Sequence, residues 1–201
     1  IFYQILRINN VPVSTIGTLG IKYNGRLIKT NLTSPDTVTL HKNLYFLKNK
    51  KINNVIIETS SHGLDQKRLH HINFKGAIFT NFSQDHLDYH KSMKSYINAK
   101  LILFRKILNK KSTIISDKEI KEFKLLKKIS KQKDLRLLDI SKEFEAIKKI
   151  NIEPISDFKI KNQAMAIKAS NLCGLKEKQI YNTLKKIKDV NGRLELVKSY
   201  R

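Results

Sequence analysis

With 201 residues, 40% hydrophobic and 28% charged, the chain has the length of one domain, at most two small ones, and a composition that excludes collagen-like, low-complexity and wholly disordered proteins. No apolar run reaches the ~18 residues of a membrane-spanning helix, no charged-then-apolar segment opens the sequence, and the single Cys173 cannot form an internal disulfide, so a cytoplasmic, monomeric protein is expected. The net charge of +23 raises a polyanionic partner, but 33 of the 40 basic residues are Lys and 7 are Arg, whereas phosphate and base recognition draws on Arg forks.

Lys, Asn and Ile, all specified by A/T-rich codons, are abundant throughout. The charge therefore reads as codon bias on solvated faces, and neither nucleic acid nor membrane is expected as a partner; a nucleic-acid-binding module is the distant alternative.

From the N-terminus, the apolar opening IFYQILRI reads as the middle of a helix, and the absence of Met at Ile1 reads as a fragment of a longer protein. VSTIGTLGIKYNGRLIKT then sets Asn24-Gly25 between alternating apolar positions, the pattern of a tight hairpin. Ser34-Pro35-Asp36 supplies an N-cap, a proline at the first helical position and an acid in the first turn. Leu40, Leu44 and Leu47 follow at helical spacing and predict an amphipathic helix over 35–50. Residues 54–59 (NVIIET) and 75–82 (KGAIFTNF) are short apolar runs with polar C-terminal tips, separated by a short helical segment over 64–70. Such runs are buried strands of an α/β unit with a mostly parallel sheet flanked by helices. A helix over 92–108 puts Tyr96, Lys100 and Phe104 on one face. Strands at 112–116 and 135–140 bracket a Lys-rich helix over 118–132, while 141–151 shows no clear pattern. A helix over 162–172 is closed by Gly174, and another over 176–187 carries Ile180, Leu184 and Ile187 on one face; LELVKSY (194–200) is strand-like.

Residues able to carry chemistry concentrate between 58 and 100. Glu58 ends a predicted strand, where open α/β sheets place their ligand crevices, and Thr59-Ser60-Ser61-His62-Gly63 follows as a small polar turn. A solvated carboxylate is the bland alternative for a lone Glu. The next strand ends in Asp85-His86-Leu87-Asp88-Tyr89-His90, where two acids and two histidines form either a hydrogen-bonded turn or a divalent-metal ligand set. A metal-dependent hydrolase on Asp85, His86, Asp88 and His90 is one reading, although structural-zinc spacings are absent. Lys100 is either a lysine snorkelling past apolar neighbours or a partly desolvated amine with a lowered pKa, open to reaction with carbon dioxide.

ETSSHGLDQKRL (58–69), FTNFSQDHLDYH (79–90) and SYINAKLILF (95–104), in this order and spacing, resemble the central domain of the Mur ligases. Within that family they are most similar to the branch that adds a diamino acid as the third peptide residue. STIGTLG (14–20), LTSPDT (32–37) and NGRLE (191–195) support the likeness, which covers nearly the whole chain. The resemblance implies a P-loop/Rossmann-like α/β domain over 1–201, with 194–201 starting the link to a further domain. It implies ATP-dependent amide formation in peptidoglycan precursor synthesis: the free D-glutamyl carboxylate of the UDP-MurNAc-dipeptide becomes an acyl phosphate, and meso-diaminopimelate or lysine displaces phosphate. Mg2+ is the implied cofactor, with Glu58, His86 and a carbamylated Lys100 as its ligands and as the catalytic set. Thr33, Ser34, Ser60, Gln66 and Arg68 match substrate-binding positions, and Asn162 and Arg193 match ATP-binding ones.

The family's GTNGK phosphate loop and first strand are not in the sequence, and Ser34 stands where a second Thr is usual. A fragment of this kind is expected to be inactive alone. Another Mur-type ligase, or a folylpolyglutamate synthase-like ligase, is the alternative within the same architecture.

Overall fold

The strands of the parallel ladders alternate their side chains between two apolar layers, and this alternation builds the domain. The computed structural model describes residues 1–30, 32–150 and 156–188. The elements run α1 (Phe2–Ile8), β1 (Val13–Gly17), β2 (Gly20–Tyr23), β3 (Arg26–Ile28), α2 (Thr37–Asn49), β4 (Asn54–Ile57), α3 (Ser61–Asp65), β5 (Gly76–Phe79), α4 (Leu87–His90) and α5 (Met93–Ile102). A π-helical turn (Leu103–Ile107), β6 (Thr113–Ser116), α6 (Phe123–Lys133), β7 (Arg136–Asp139), α7 (Ser141–Ile150), α8 (Asp157–Leu172) and α9 (Glu177–Leu184) complete them.

Ile16, Val55, Ile57, Ala77, Phe79, Ile114 and Leu137 face one core with α2, α3, α5 and α6. Val13, Ile56, Ile78, Ile115 and Leu138 face the other with α1, α7, α8 and α9. Helices on both faces of a mainly parallel sheet are the α/β architecture that unbroken apolar strands require.

The sheet is split. One part has the order β3-β2-β1-β4 and the other β5-β6-β7, with β1 parallel to β4 and β5, β6 and β7 mutually parallel. Between the outer edges of β4 and β5 lies a cleft of about 870 Å³, walled by Phe2, Leu6, Phe104 and Leu172. Its polar end, at the strands' carboxyl tips, is formed by Glu58, Thr59, Thr80, Asn81 and Lys100.

Several expected boundaries move for local reasons. Asn24 and Gly25 take φ of 46° and 80° and close the β2–β3 hairpin as predicted. Asp36, not Ser34, caps α2, accepting the Thr39 N–H; Ser34 is drawn inward and is 1% exposed. The helix expected over 64–70 is instead Ser61–Asp65, capped by Ser60. The helix expected from 118 starts at Phe123, because the buried Asp117 carboxylate accepts the Glu119 N–H and holds the intervening residues in turns. The unpatterned lysine-rich stretch is helix α7, whose buried Glu143 pairs with Lys168 on α8. Asn162 lies inside α8 rather than at its start, since Ser156 caps that helix. Gly174, at φ +91°, follows its C-cap. Residues 194–200, expected as a strand, lie outside the described residues. No helix among the described residues is long and apolar enough to cross a membrane.

Glu143 is 3% exposed, and its Oε1 sits 2.7 Å from Lys168 Nζ. Removing the cation would strand a buried carboxylate. Lys168→Met should lower unfolding free energy by about 3–5 kcal/mol, and Glu143→Leu added to it should recover most of the loss, as read from urea denaturation midpoints.

Candidate active site

The site is assembled where β1 and β4 end side by side. Their parallel ladder continues one step beyond the strands, with the Glu58 N–H donating to Ile16 O at 2.8 Å. The Glu58 side chain then meets the turn between β1 and β2. Oε2 accepts from both the backbone N–H and the hydroxyl of Thr18, at 2.8 and 2.9 Å. A Cβ on Gly17 would stand 2.5 Å from that oxygen, so only glycine lets the carboxylate lie here. Oε1 has no hydrogen-bond partner among the described residues.

Behind Glu58 is a knot of hydroxyls. The Ser34 hydroxyl donates to Glu58 O at 3.2 Å and accepts from the Ser60 N–H at 3.0 Å and the Ser60 hydroxyl at 3.2 Å. Ser60 in turn accepts from the Gly63 N–H and caps α3. Both lone pairs and the proton of Ser34 are thus used within the protein. Its role in this geometry is to fix the loop, not to offer a free hydroxyl. Arg68 reaches the same loop, Nη1 donating to Ser34 O at 2.9 Å. Its Nη2 donates to Gln66 Oε1, Gln66 Nε2 donates to the Tyr89 hydroxyl at 3.2 Å, and Tyr89 donates to Asp65 Oδ2 at 2.9 Å. Thr33 lies 3.0 Å from Thr18, oxygen to oxygen. Four of the five expected substrate residues therefore share one hydrogen-bonded patch, with Thr33 joined to Glu58 through Thr18.

Lys100 lines the same cleft from α5, and His86 lies against the Tyr96 ring that Lys100 also faces. His86 adopts a left-handed conformation (φ 54°) at the start of α4, and its N–H donates to Asp85 Oδ1. Its ring meets Tyr96 edge-on, 5.8 Å between centroids. Lys100 Nζ stands 5.2 Å from the same Tyr96 ring. Burial lowers the Lys100 pKa below the usual lysine value, against the opposing attraction of Asp85. The α-helix gives way to the π turn three residues later, where Phe104 packs edge-on to Phe79.

Asp85, His86, Asp88 and His90 do not converge as a metal cluster. His90 is buried, its Nε2 2.9 Å from Ser61 Oγ and its ring stacked on Tyr96, and burial lowers its pKa. Among the described residues no three His, Cys, Asp or Glu side chains form a metal-sized group. Glu58 Oε1, the His86 imidazole and an anion on Lys100 would supply the mainly oxygen donor set that Mg2+ prefers.

Asn162 sits on α8 beside Lys161, whose Nζ pairs with Asp117 Oδ2 at 2.6 Å at the tip of β6. Arg193 lies outside the described residues. Sequence reasoning gave Thr18 no role and read His90 as a candidate metal ligand, whereas it packs against Ser61 and Tyr96; the pairing of β1 with β4 and the contact of α4 with α3 place the two residues, and neither is a short-range signal.

The chain matches the model of the Mur ligase middle domain over residues 1–187. A Rhizobium meliloti (strain 1021) protein named UDP-N-acetylmuramoyl-L-alanyl-D-glutamate--2,6-diaminopimelate ligase is 31% identical, the match covering 96% of this chain and 44% of that protein. The protein of the same name from Wigglesworthia glossinidia brevipalpis is 35% identical over 92% of this chain and 42% of its own length. A solved structure of a ligase of that name superposes with a TM-score of 0.79 at 19% identity, covering 99% of this chain and 45% of that one. The chain thus spans less than half the length of these relatives.

A Cβ on Gly63 would fall 2.7 Å from Ser34 Cβ and 2.9 Å from its Oγ. Gly63→Ala should destabilise the chain by about 1–3 kcal/mol through overpacking. The penalty should shrink in a Ser34→Gly background, where those atoms are gone, as measured by a double-mutant cycle of urea midpoints.

Proposed function

The chain belongs to the Mur ligase middle-domain family, and from that footing we propose that it is the central part of a cytoplasmic ligase joining 2,6-diaminopimelate to UDP-N-acetylmuramoyl-L-alanyl-D-glutamate at the expense of ATP. The observation that carries this reading is the meeting of Glu58 and Lys100 at the polar end of one cleft, backed by the hydroxyl and guanidinium patch of Ser34, Ser60 and Arg68.

The reaction makes an amide from a carboxylate and an amine. The D-glutamyl carboxylate takes the terminal phosphoryl group of ATP, and the diamino acid's amine then displaces phosphate. Mg2+, when held by Glu58 Oε1, His86 and a carbamate on Lys100, supplies charge neutralisation for the phosphoryl oxygens. The chain's own residues prepare this. Burial leaves a larger share of the Lys100 amine unprotonated than in a solvated lysine, and the free amine adds carbon dioxide with loss of a proton, exchanging a cation for an anion. Thr18 and Gly17 fix the Glu58 carboxylate with one oxygen engaged and one presented. Ser34, Ser60 and Gln66 hold the loop on which Thr33 and Arg68 meet the anionic and amide groups of the UDP-dipeptide. Asn162 and Arg193 serve the nucleotide. Diaminopimelate is preferred to lysine because the similar proteins carry it in their names.

In the complete ligase, Lys100→Ala should lower the ligation rate about a hundredfold or more, because several kcal/mol of charge stabilisation would go with the metal ligand. Short carboxylic acids should restore part of it. Ligation unchanged by the substitution would refute the assignment.

Carbamylation draws on the free amine, which acid removes. Lys100 loading should therefore fall as pH drops and rise with added bicarbonate, observable by carbon NMR with labelled bicarbonate. A labelled signal that persists in Lys100→Ala would place the adduct elsewhere.

A further inference from the structure

We propose that Thr18 is a positioning residue that couples occupancy of the substrate patch to the readiness of Glu58 to hold a cation. The proposal rests on the reading above that Glu58 binds the cation and Thr33 meets the UDP-dipeptide.

The hydrogen count fixes the direction of the chain. Thr18 has one hydroxyl proton, and its Oγ1 lies 2.9 Å from Glu58 Oε2 and 3.0 Å from Thr33 Oγ1. An ionised carboxylate only accepts, so the Thr18 proton goes to Glu58. Thr33 must then donate to Thr18. The result is a one-way relay, Thr33 O–H to Thr18 O–H to Glu58 Oε2, and each bond in such a chain polarises the next. The Thr18 backbone N–H makes a second, independent bond to the same oxygen at 2.8 Å. Glu58 is thus held in place even when the relay is interrupted.

An anionic oxygen of the substrate, carboxylate or phosphate, competes for the single Thr33 proton. When Thr33 turns its proton to that oxygen, Thr18 loses its incoming donor, and its own bond to Glu58 weakens. The carboxylate then carries more of its negative charge uncompensated by hydrogen bonds, while the backbone N–H keeps it in position. Substrate binding thereby strengthens cation binding, and by linkage the cation strengthens substrate binding by the same factor. No backbone movement is required. Thr18 is exposed and its turn is set by backbone pairing, so its hydroxyl can be removed without disturbing the core.

The test measures binding, not turnover. In the complete ligase, Mg2+ affinity is titrated calorimetrically with and without saturating UDP-N-acetylmuramoyl-L-alanyl-D-glutamate, in the absence of ATP and of the diamino acid. The parent protein should bind Mg2+ about fivefold or more tightly when the dipeptide is present. Thr18→Val, which keeps the backbone N–H bond, should bring that ratio to one. Thr18→Ser, which keeps the hydroxyl, should retain it. A Thr18→Val protein that binds both ligands with the parent ratio overturns the relay. Parent-like Mg2+ affinity in Glu58→Gln instead overturns the assignment of Glu58, and the relay falls with it. Thermal midpoints of the Val and Ser variants, compared with the parent, separate a folding defect from a lost coupling.

Discussion

The parallel pairing of β1 with β4 is the constraint on which the site depends. In a parallel pair both strands finish at the same end, so the turn that leaves β1 and the polar tip of β4 become neighbours although 40 residues separate Thr18 from Glu58. An antiparallel partner would send them to opposite ends of the sheet. Given that register, Gly17 supplies the missing Cβ, Thr18 supplies two donors, and Ser34 ties the Glu58 carbonyl to the N-terminus of α3. The helical segment on the far side does the complementary work: α5 carries Lys100 to the same cleft and buries Tyr96, and the π turn that follows buries Phe104.

The charge of the chain acts differently at the surface and inside. The lysines of α6 and α7 lie mostly on exposed faces, where each is solvated and screened. The two buried acids at helix and strand boundaries, Asp117 and Glu143, are each met by a lysine of α8 at 2.6 and 2.7 Å. Helix α8 is therefore tied to the sheet and to α7 by single ion pairs on buried carboxylates, which fix its rotation as well as its position.

Much of the fold was legible because the signals were local. Apolar runs of four residues with polar tips became β4, β5 and β6, and Asn24-Gly25 became the hairpin turn. The misreadings share a cause, which is a tertiary partner outranking a local preference. Ser34 has the chemistry of an N-cap, but Asp36 takes that role two residues on and Ser34 turns inward to Glu58 and Ser60. The stretch from Ser141 lacked a pattern because its buried Glu143 looked solvated until Lys168 was seen beside it. Glu58, His86 and Lys100 stood out through motifs, whereas Thr18 lies within STIGTLG without an assigned role, and its contact with Glu58 becomes visible only through the strand register. His90 looked like a ligand beside His86, and its burial against Ser61 and Tyr96 shows a packing role that spacing could not reveal.

The cleft between β4 and β5 has a bearing on how the domain holds together. Edge strands are commonly guarded by lysines, prolines or bulges that discourage further pairing. Neither Asn54–Ile57 nor Gly76–Phe79 has any of these, and both present uncharged backbone to the same apolar-walled slot. The centre of the domain is therefore held not by a continuous ladder but by helices, α1 resting on β1 and α8 resting on β5, β6 and α1, so that the two sheets share a face through side chains alone.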